Sequence, residues 1–392
     1  RFLERRKQKL LQIIKDKTGI EVNIWAAASI KKLLDYLKIT DYKQTPKSKM
    51  PKLPKDYLQT HGNPLLRLIA KARECEKANN AFVEGLLSFV HKGRIHADIN
   101  QIRSDQGGTV TGRFSMSNPN LQQIPARGWI GKKMRQIFIP EDNNTWASFD
   151  YSQQEPRIVV HYAIKLLKNN PELTQENRQK EHRDKFKQKI INSISKMEKF
   201  YKQNPDADFH QLVADMAKIP RIQAKTINLG MFYGMGKMKL QKELNLNKEE
   251  AKDLFDKYHA EVPFVKKLSE ELIEFAKDNE LLFTLGDRFC RFDKWETTDK
   301  KWNNKIGRFN PVPLLTKDQA KTAYKAELLE ENQSDDPDYE NILYYYAPAF
   351  TYKALNRLIQ GSAADMTKTA MVNLYEQGIL PHIQIHDELC IS

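Results

Sequence analysis

Apolar residues recur at helical spacing from the start of the chain. Leu10, Leu11, Ile13 and Ile14 fall on one side of a predicted helix within residues 1–38. The run SIKKLLDYLKI (29–39) repeats the pattern behind Ser29, a residue type that caps helix N-termini. Between 41 and 56, Pro46, Pro51 and Pro54 stand among lysines and predict a loop. The pattern then predicts one long helix from Pro64 to Leu87. Helices and a basic loop therefore make up a first unit.

After residue 90 the pattern turns to strand and loop. TWASFDYS (145–152) reads as a strand ending in acid and hydroxyl groups, and EPRIVVHYAIKLL (155–167) as a helix that tolerates Pro156 only in its first turn. Residues 164–205 read as a charged helical stretch without an evident apolar stripe, and 206–285 as helix again. Residues 287–350 are mixed, with YYYAPAF and an acidic stretch, ENQSDDPDYEN (331–341), expected as a solvated loop. Helix returns at 352–376. The last segment, HIQIHDELCIS, alternates Ile383, Ile385, Leu389 and Ile391 around a polar break, a hairpin pattern. There are no internal repeats.

Composition narrows the class. The chain of 392 residues is long enough for two or three packed units. No apolar run approaches a membrane span, and Arg1, Glu4, Arg5, Arg6, Lys7 and Lys9 exclude a signal peptide at this start. Arg1 in place of an initiator residue suggests a piece of a longer protein. Cys75, Cys290 and Cys390, an odd and dispersed set, argue against a disulfide framework or a zinc finger and favour an intracellular setting. Residues 1–90 hold 19 Lys/Arg against 9 Asp/Glu, most of the net charge of +14, which suggests a polyanionic partner.

Three segments carry chemistry. Asp150 ends one predicted strand, while Asp387 and Glu388 sit at the tip of the last hairpin. Asp-Glu is a poor choice for a tight turn, which prefers Asn-Gly or Asp-Gly. Strand-end carboxylates brought together can hold two divalent ions, although any one of them alone is an ordinary turn residue. In PRIQAKTINLGMFYGMG (220–236), Arg221, Lys225, Leu229 and Tyr233 follow at intervals of four, and each step drifts only about 40° around a helix. Two cations, an apolar group and a ring thus share one side, suited to a triphosphate and a stacked base. Gly230 costs the helix roughly 1 kcal/mol against Ala, which a closely approaching partner would explain. TVTGRFSMSNPNLQQIPAR (109–127) offers amides, hydroxyls and Arg suited to groove edges and phosphates. Ser152 through Glu155 fits a capping box.

Together these segments resemble the DNA polymerase I family, also called family A. TVTGRFSMSNPNLQQIPAR, DYSQQEPR, RIQAKTINLGMFYG and HDE stand in the family's order, with NRLIQGSAAD (356–365) just before the last. The resemblance implies an α+β right-hand fold with an antiparallel palm sheet and mainly helical thumb and fingers. Residues 1–90 would be the thumb, 91–165 and 351–392 the palm, and 166–350 the fingers. It implies template-directed DNA synthesis from dNTPs on a primer-template, in replication or repair, with two Mg²⁺ ions for which Mn²⁺ can substitute. Asp150, Asp387 and the carbonyl of Tyr151 would hold the metals, with Glu388 assisting. Arg221, Lys225 and His210 (in DFHQLVAD) would bind the triphosphate, and Lys225 would also protonate pyrophosphate. Leu229 and Tyr233 would face the sugar and base, and Glu155 would block a ribose 2′-OH and hydrogen-bond Tyr233. Arg113, Asn120, Gln123, Asn356, Gln360 and His386 would contact DNA.

The chain also departs from the family. Leu229 stands where an aromatic is usual, and Gln154 and Pro156 where aliphatics are. Residues 164–205 and 287–350 exceed the family minimum, in a phage-like or organellar style, and are expected as solvated decoration. The chain stops four residues after Glu388, and no exonuclease motif precedes the thumb, so this piece is not expected to proofread. A bacterial or phage-infected cytoplasm fits better than an organelle, and accessory partners are open. Two rivals remain: a single-subunit RNA polymerase, against which Glu155 and the pattern around Tyr233 argue, and a non-catalytic primer-template binder, against which the intact Asp150, Asp387, Arg221 and Lys225 argue.

Overall fold

A computed structural model describes the chain except residues 47, 105–106, 126–127, 171–179, 304–307 and 331–341. The acidic stretch expected as a solvated loop thus lies outside the described residues. The chain divides into two compact units, residues 1–99 with 116–142, and residues 100–115 with 143–392.

The first unit is built on α1 (Phe2–Thr18), α2 (Ala27–Tyr36) and α3 (Pro64–Ala78). Gly19 ends α1 in the left-handed conformation, its N–H closing on the Lys15 carbonyl at 2.7 Å. α3 starts on Asn63, whose side chain accepts from the Leu65 N–H, with Pro64 in the first turn. It runs on through a π-helical turn, Asn79–Glu84, to Leu87. Ile14, Ile30, Leu33, Leu34, Leu58, Leu66 and Ile69 form the core. Arg73 donates to the carbonyls of Ile24 and Leu53, fixing two irregular segments against α3. Two expectations are corrected here. The lysine-rich loop folds back as a short hairpin, Lys43–Gln44 against Pro51–Lys52. α2 begins on Ala26 rather than Ser29, whose hydroxyl instead accepts the Asn23 N–H at 2.9 Å.

The second unit begins its regular structure with β1 (Ala147–Asp150), α4 (Gln154–Ala163) and α5 (Lys180–Gln203). It continues through α6 (Phe209–Ala217), α7 (Arg221–Phe232) and α8 (Pro263–Asn279). It closes with α9 (Ala354–Glu376), β2 (Pro381–Ile385) and β3 (Glu388–Ile391). β3 is the central strand of an antiparallel sheet, paired with β2 on one side and β1 on the other. The helices share one core, in which α8 buries Phe264, Val265, Leu268, Leu272 and Ala276 along a single stripe. α9 approaches its neighbours through Gly361, Ser362, Ala363 and Ala364, all buried. A Cβ on Gly361 would lie 2.7 Å from Thr284, so only glycine permits that approach.

The described parts of the longer-than-minimal segments are packed, contrary to the expectation of solvated decoration. α5 buries Ile190, Ile194 and Met197, an i, i+4, i+7 stripe set among lysines, in the main core. In the later segment, Trp295–Thr297 pairs with Tyr346–Pro348. Trp295, Ala320, Tyr324, Ile342 and Tyr346 form a small core of their own.

Candidate active site

The sheet brings the distant acids together. Glu388, first residue of β3, is the register partner of Asp150, last residue of β1. The β2–β3 connection has only two residues, His386 and Asp387, so Glu388 begins the strand instead of sharing the tip. His386 takes a positive φ of 58° there, a conformation that favours glycine. The Tyr151 N–H donates to the Asp387 carbonyl at 3.3 Å, fastening the turn to the end of β1. Burial raises the Asp150 carboxyl above its ordinary range, and the nearby charges of Asp387 and Glu388 raise it further. Asp387 is raised as well, mainly by burial, with Arg113 partly offsetting this. Ser148, two residues before Asp150 on the same strand face, donates to Glu388.

Among the described residues, no three His, Cys, Asp or Glu side chains group closely enough to hold a metal ion by themselves. The donors at hand are two crowded aspartates with Glu388 beside them. Oxygen-only ligands of this kind fit a hard divalent cation rather than a thiolate- or imidazole-loving one. A cation would also relieve the repulsion that raises Asp150.

Glu155 stands beside this turn for a reason different from the one its spacing suggested. The capping box does not form. The N-cap of α4 is Gln153, left-handed at φ 52°, without a side-chain cap bond. Gln153 instead donates to the Ala207 carbonyl at 2.6 Å and accepts the Phe209 N–H at 2.7 Å, tying α4 to the start of α6. Glu155 is thereby free to bridge. One oxygen takes Arg113 at 2.7 Å and the other takes the Tyr233 hydroxyl at 2.6 Å. Burial and Glu155 together push the Tyr233 phenol well above its ordinary value, with the nearby Gln360 side chain partly offsetting this.

α7 carries the cationic row on one side, with Tyr233 just past its last residue. Arg221 is clamped by Asp208, 2.7 Å from Nε and 2.5 Å from Nη2. Asp208 also caps α6, accepting from the His210 and Gln211 N–H groups. His210 is nearly fully buried, and its Nδ1 lies 3.0 Å from Asn228 Nδ2. Burial lowers its pKa, and the Lys225 and Arg221 charges lower it further against the pull of Asp208. Lys225 is half-buried and has no ion-pair partner among the described residues. Leu229 packs against the core. The close partner of Gly230 is the chain's own Met235, whose Cε lies 1.9 Å from where a Cβ would stand.

Asn356 and Gln360 lie four residues apart on α9, and His386 is exposed at its turn. Asn120 and Gln123 belong to the first unit, where Asn120 caps the short helix Leu121–Gln123. Sequence reasoning missed Asp208, Asn228, Gln153 and Ser148. Asp208 had a legible signal, an acid immediately before a helix. The other three act through tertiary contacts that spacing does not reveal.

The family model for DNA polymerase family A matches residues 1–311. A DNA-directed DNA polymerase of Pseudomonas phage M6 is 31% identical over 434 aligned positions, spanning 100% of this chain and 55% of that protein. DNA polymerase DpoZ of Acinetobacter phage SH-Ab 15497 is 28% identical over 95% of this chain and 55% of its own. DNA polymerase I of Caldicellulosiruptor bescii is 28% identical over 84% of this chain and 31% of its own. The chain thus spans about half the length of these phage relatives. The POL domain of Pol1 from M. smegmatis, in complex with DNA primer-template and dNTP, shares the fold at a TM-score of 0.62 and 23% identity, over 100% of this chain and 58% of that one.

Proposed function

This chain belongs to DNA polymerase family A, and from that premise we propose that it extends a primer strand by template-directed addition of dNTPs, releasing pyrophosphate. The observation that carries the reading is the pairing of β1 and β3, which sets Asp150 beside Asp387 although 236 residues separate them (387 − 150 − 1). Residues 1–90 serve as thumb, 91–165 and 351–392 as palm, and 166–350 as fingers.

Family A polymerases are metal-dependent in general. Asp150, Asp387 and the Tyr151 carbonyl would hold two Mg²⁺ ions, with Glu388 close by. Bound there, such ions would lower the pKa of the primer 3′-OH and neutralise charge on the leaving pyrophosphate. The chain's own groups do the rest. Arg221, Lys225 and His210 grip the triphosphate, and Lys225 gives a proton to the departing pyrophosphate. Tyr233 sits beside the templating base, its hydroxyl held by Glu155, so the ring tests the shape of the new pair. Glu155 fills the space a ribose 2′-OH would need, which selects dNTPs. Arg113, Asn120, Gln123, Asn356, Gln360 and His386 contact primer and template. Catalysis is then mostly positioning and charge neutralisation. Among the described residues no helix is long and apolar enough to cross a membrane. A bacterial or phage-infected cytoplasm is the proposed setting.

Primer extension tests the reading. The unmodified chain should extend a recessed primer in Mg²⁺ with dNTPs and use rNTPs far less well. Asp150→Asn and Asp387→Asn should each reduce kcat/KM by roughly a hundredfold or more. Undiminished extension by either variant, or duplex binding without extension by the unmodified chain, would sink the assignment.

A further inference from the structure

Asn228 is fully buried on α7, between the apolar Ile227 and the half-buried Leu229. A buried amide in such surroundings costs stability unless it is bonded. A leucine would fill the space without that cost. The amide nitrogen lies 3.0 Å from His210 Nδ1, and its oxygen has no hydrogen-bond partner among the described residues. The residue therefore keeps one hydrogen bond, to one ring nitrogen, and leaves its other half unsatisfied.

That single bond dictates the state of the ring. An amide N–H can only donate, so Nδ1 must present a lone pair, and the neutral imidazole carries its proton on Nε2. The reversed amide would need a proton on Nδ1. The ring would then show a bare lone pair at Nε2, or bear a full charge. Burial and the neighbouring Arg221 and Lys225 oppose that charge, and only Asp208 favours it.

We propose that Asn228 is a positioning residue that locks His210 in the Nε2–H tautomer, making it a neutral hydrogen-bond donor to the triphosphate. The inference rests on the polymerase reading for the identity of its ligand, but not for the tautomer. A bare Nε2 would repel a phosphate oxygen, whereas Nε2–H binds it without adding charge to a pocket already holding two cations.

Three measurements test this. In ¹⁵N NMR of the unmodified chain with labelled histidine, the His210 signal (assigned by its loss in His210→Ala) should show a non-protonated Nδ1 and a protonated Nε2. Asn228→Asp, which turns the donor into an acceptor at nearly constant volume, should move the proton to Nδ1. Asn228→Leu should weaken binding of inorganic tripolyphosphate, and raise the KM for dNTP, by about tenfold with little change in primer-template affinity. In a His210→Ala background the same change should have no further effect on either quantity, a non-additivity that a purely structural Asn228 would not produce. A protonated Nδ1 in the unmodified chain, or additive losses in the double variant, would overturn the proposal. If the chain fails to extend primers while the NMR and tripolyphosphate results hold, the polymerase reading falls and the positioning role stands for an anion site of another kind.

Discussion

At the scale of single residues, the carboxylates work against the fold in order to serve the site. Asp150 and Asp387 both have raised pKa values in the folded chain. A raised carboxyl pKa means the folded state disfavours the charged form. The penalty is fully present at neutral pH, above both the folded and the unfolded values. It fades as pH falls through the folded value toward the unfolded one, near 3.9. Asp150→Asn and Asp387→Asn should therefore raise thermal stability in chelator at pH 7.5. Solvent screening keeps the gain below about 1 kcal/mol for the exposed Asp150. The gain should shrink when melting is repeated near pH 4, and shrink also in saturating Mg²⁺, which only the unmodified pair binds well. A variant less stable than the parent at pH 7.5 would mean the crowding is not felt. Leu229 makes the second prediction at this scale. Its side chain has neither ring nor hydroxyl, so if Leu229 faces the sugar as proposed, the chain should discriminate against dideoxynucleotides. Leu229→Tyr adds a hydroxyl able to bond a phosphate oxygen, an interaction worth roughly 1.5–3 kcal/mol. Dideoxynucleotide incorporation, measured against dNTP, should improve by about ten- to a hundredfold.

At the scale of elements, what the sequence made legible was local periodicity and what it hid was tertiary choice. The row Arg221, Lys225, Leu229, Tyr233 could be placed on one side of a helix because the 3.6-residue repeat alone decides it. The terminal hairpin was legible from alternation. The start of α4 was not. Ser152 and Glu155 have the right spacing for a capping box, yet Gln153 takes the left-handed conformation because its side chain can satisfy Ala207 and Phe209 on a distant segment. Glu155 is then spent on Arg113 and Tyr233. The stripe Ile190, Ile194, Met197 was masked by the polar residues between its members, Asn192, Ser193, Ser195 and Lys196, and by the lysines that flank it. Gly230 shows the same divide: its spacing signals close approach but not to what. Met235, buried and folded back on the helix, is what approaches. Gly230→Ala should cost about 1–3 kcal/mol in urea unfolding, because Met235 must leave a packed position. With Met235→Ala in place, the same substitution should become neutral or stabilising by up to about 1 kcal/mol, the ordinary helix preference of alanine. A cost that persists in the double variant would place the obstacle elsewhere.

At the scale of the whole molecule, charge is distributed by task. Residues 1–90 carry a net +10 (19 Lys/Arg less 9 Asp/Glu), whereas the remaining 302 residues carry +4. The apolar core of that region does not use the excess, which lies on the surface and is available to a polyanionic partner. A duplex backbone is such a partner and releases counterions on binding, which makes the claim quantitative. Each phosphate neutralised contributes about −0.9 to the slope of log affinity against log salt. Lys52, Lys55 and Lys71 are exposed, and no ion pair to any of them occurs among the described residues. Changing all three to glutamine should weaken primer-template binding at every sequence alike. It should flatten the salt slope by up to about 3, one unit for each lysine that faced a phosphate. The KM for dNTP, which the proposed reading assigns to Arg221, Lys225 and His210 in the other unit, should stay where it was. An unchanged slope would mean that these lysines serve solubility alone, and the basic excess of the first ninety residues would need a partner other than the duplex.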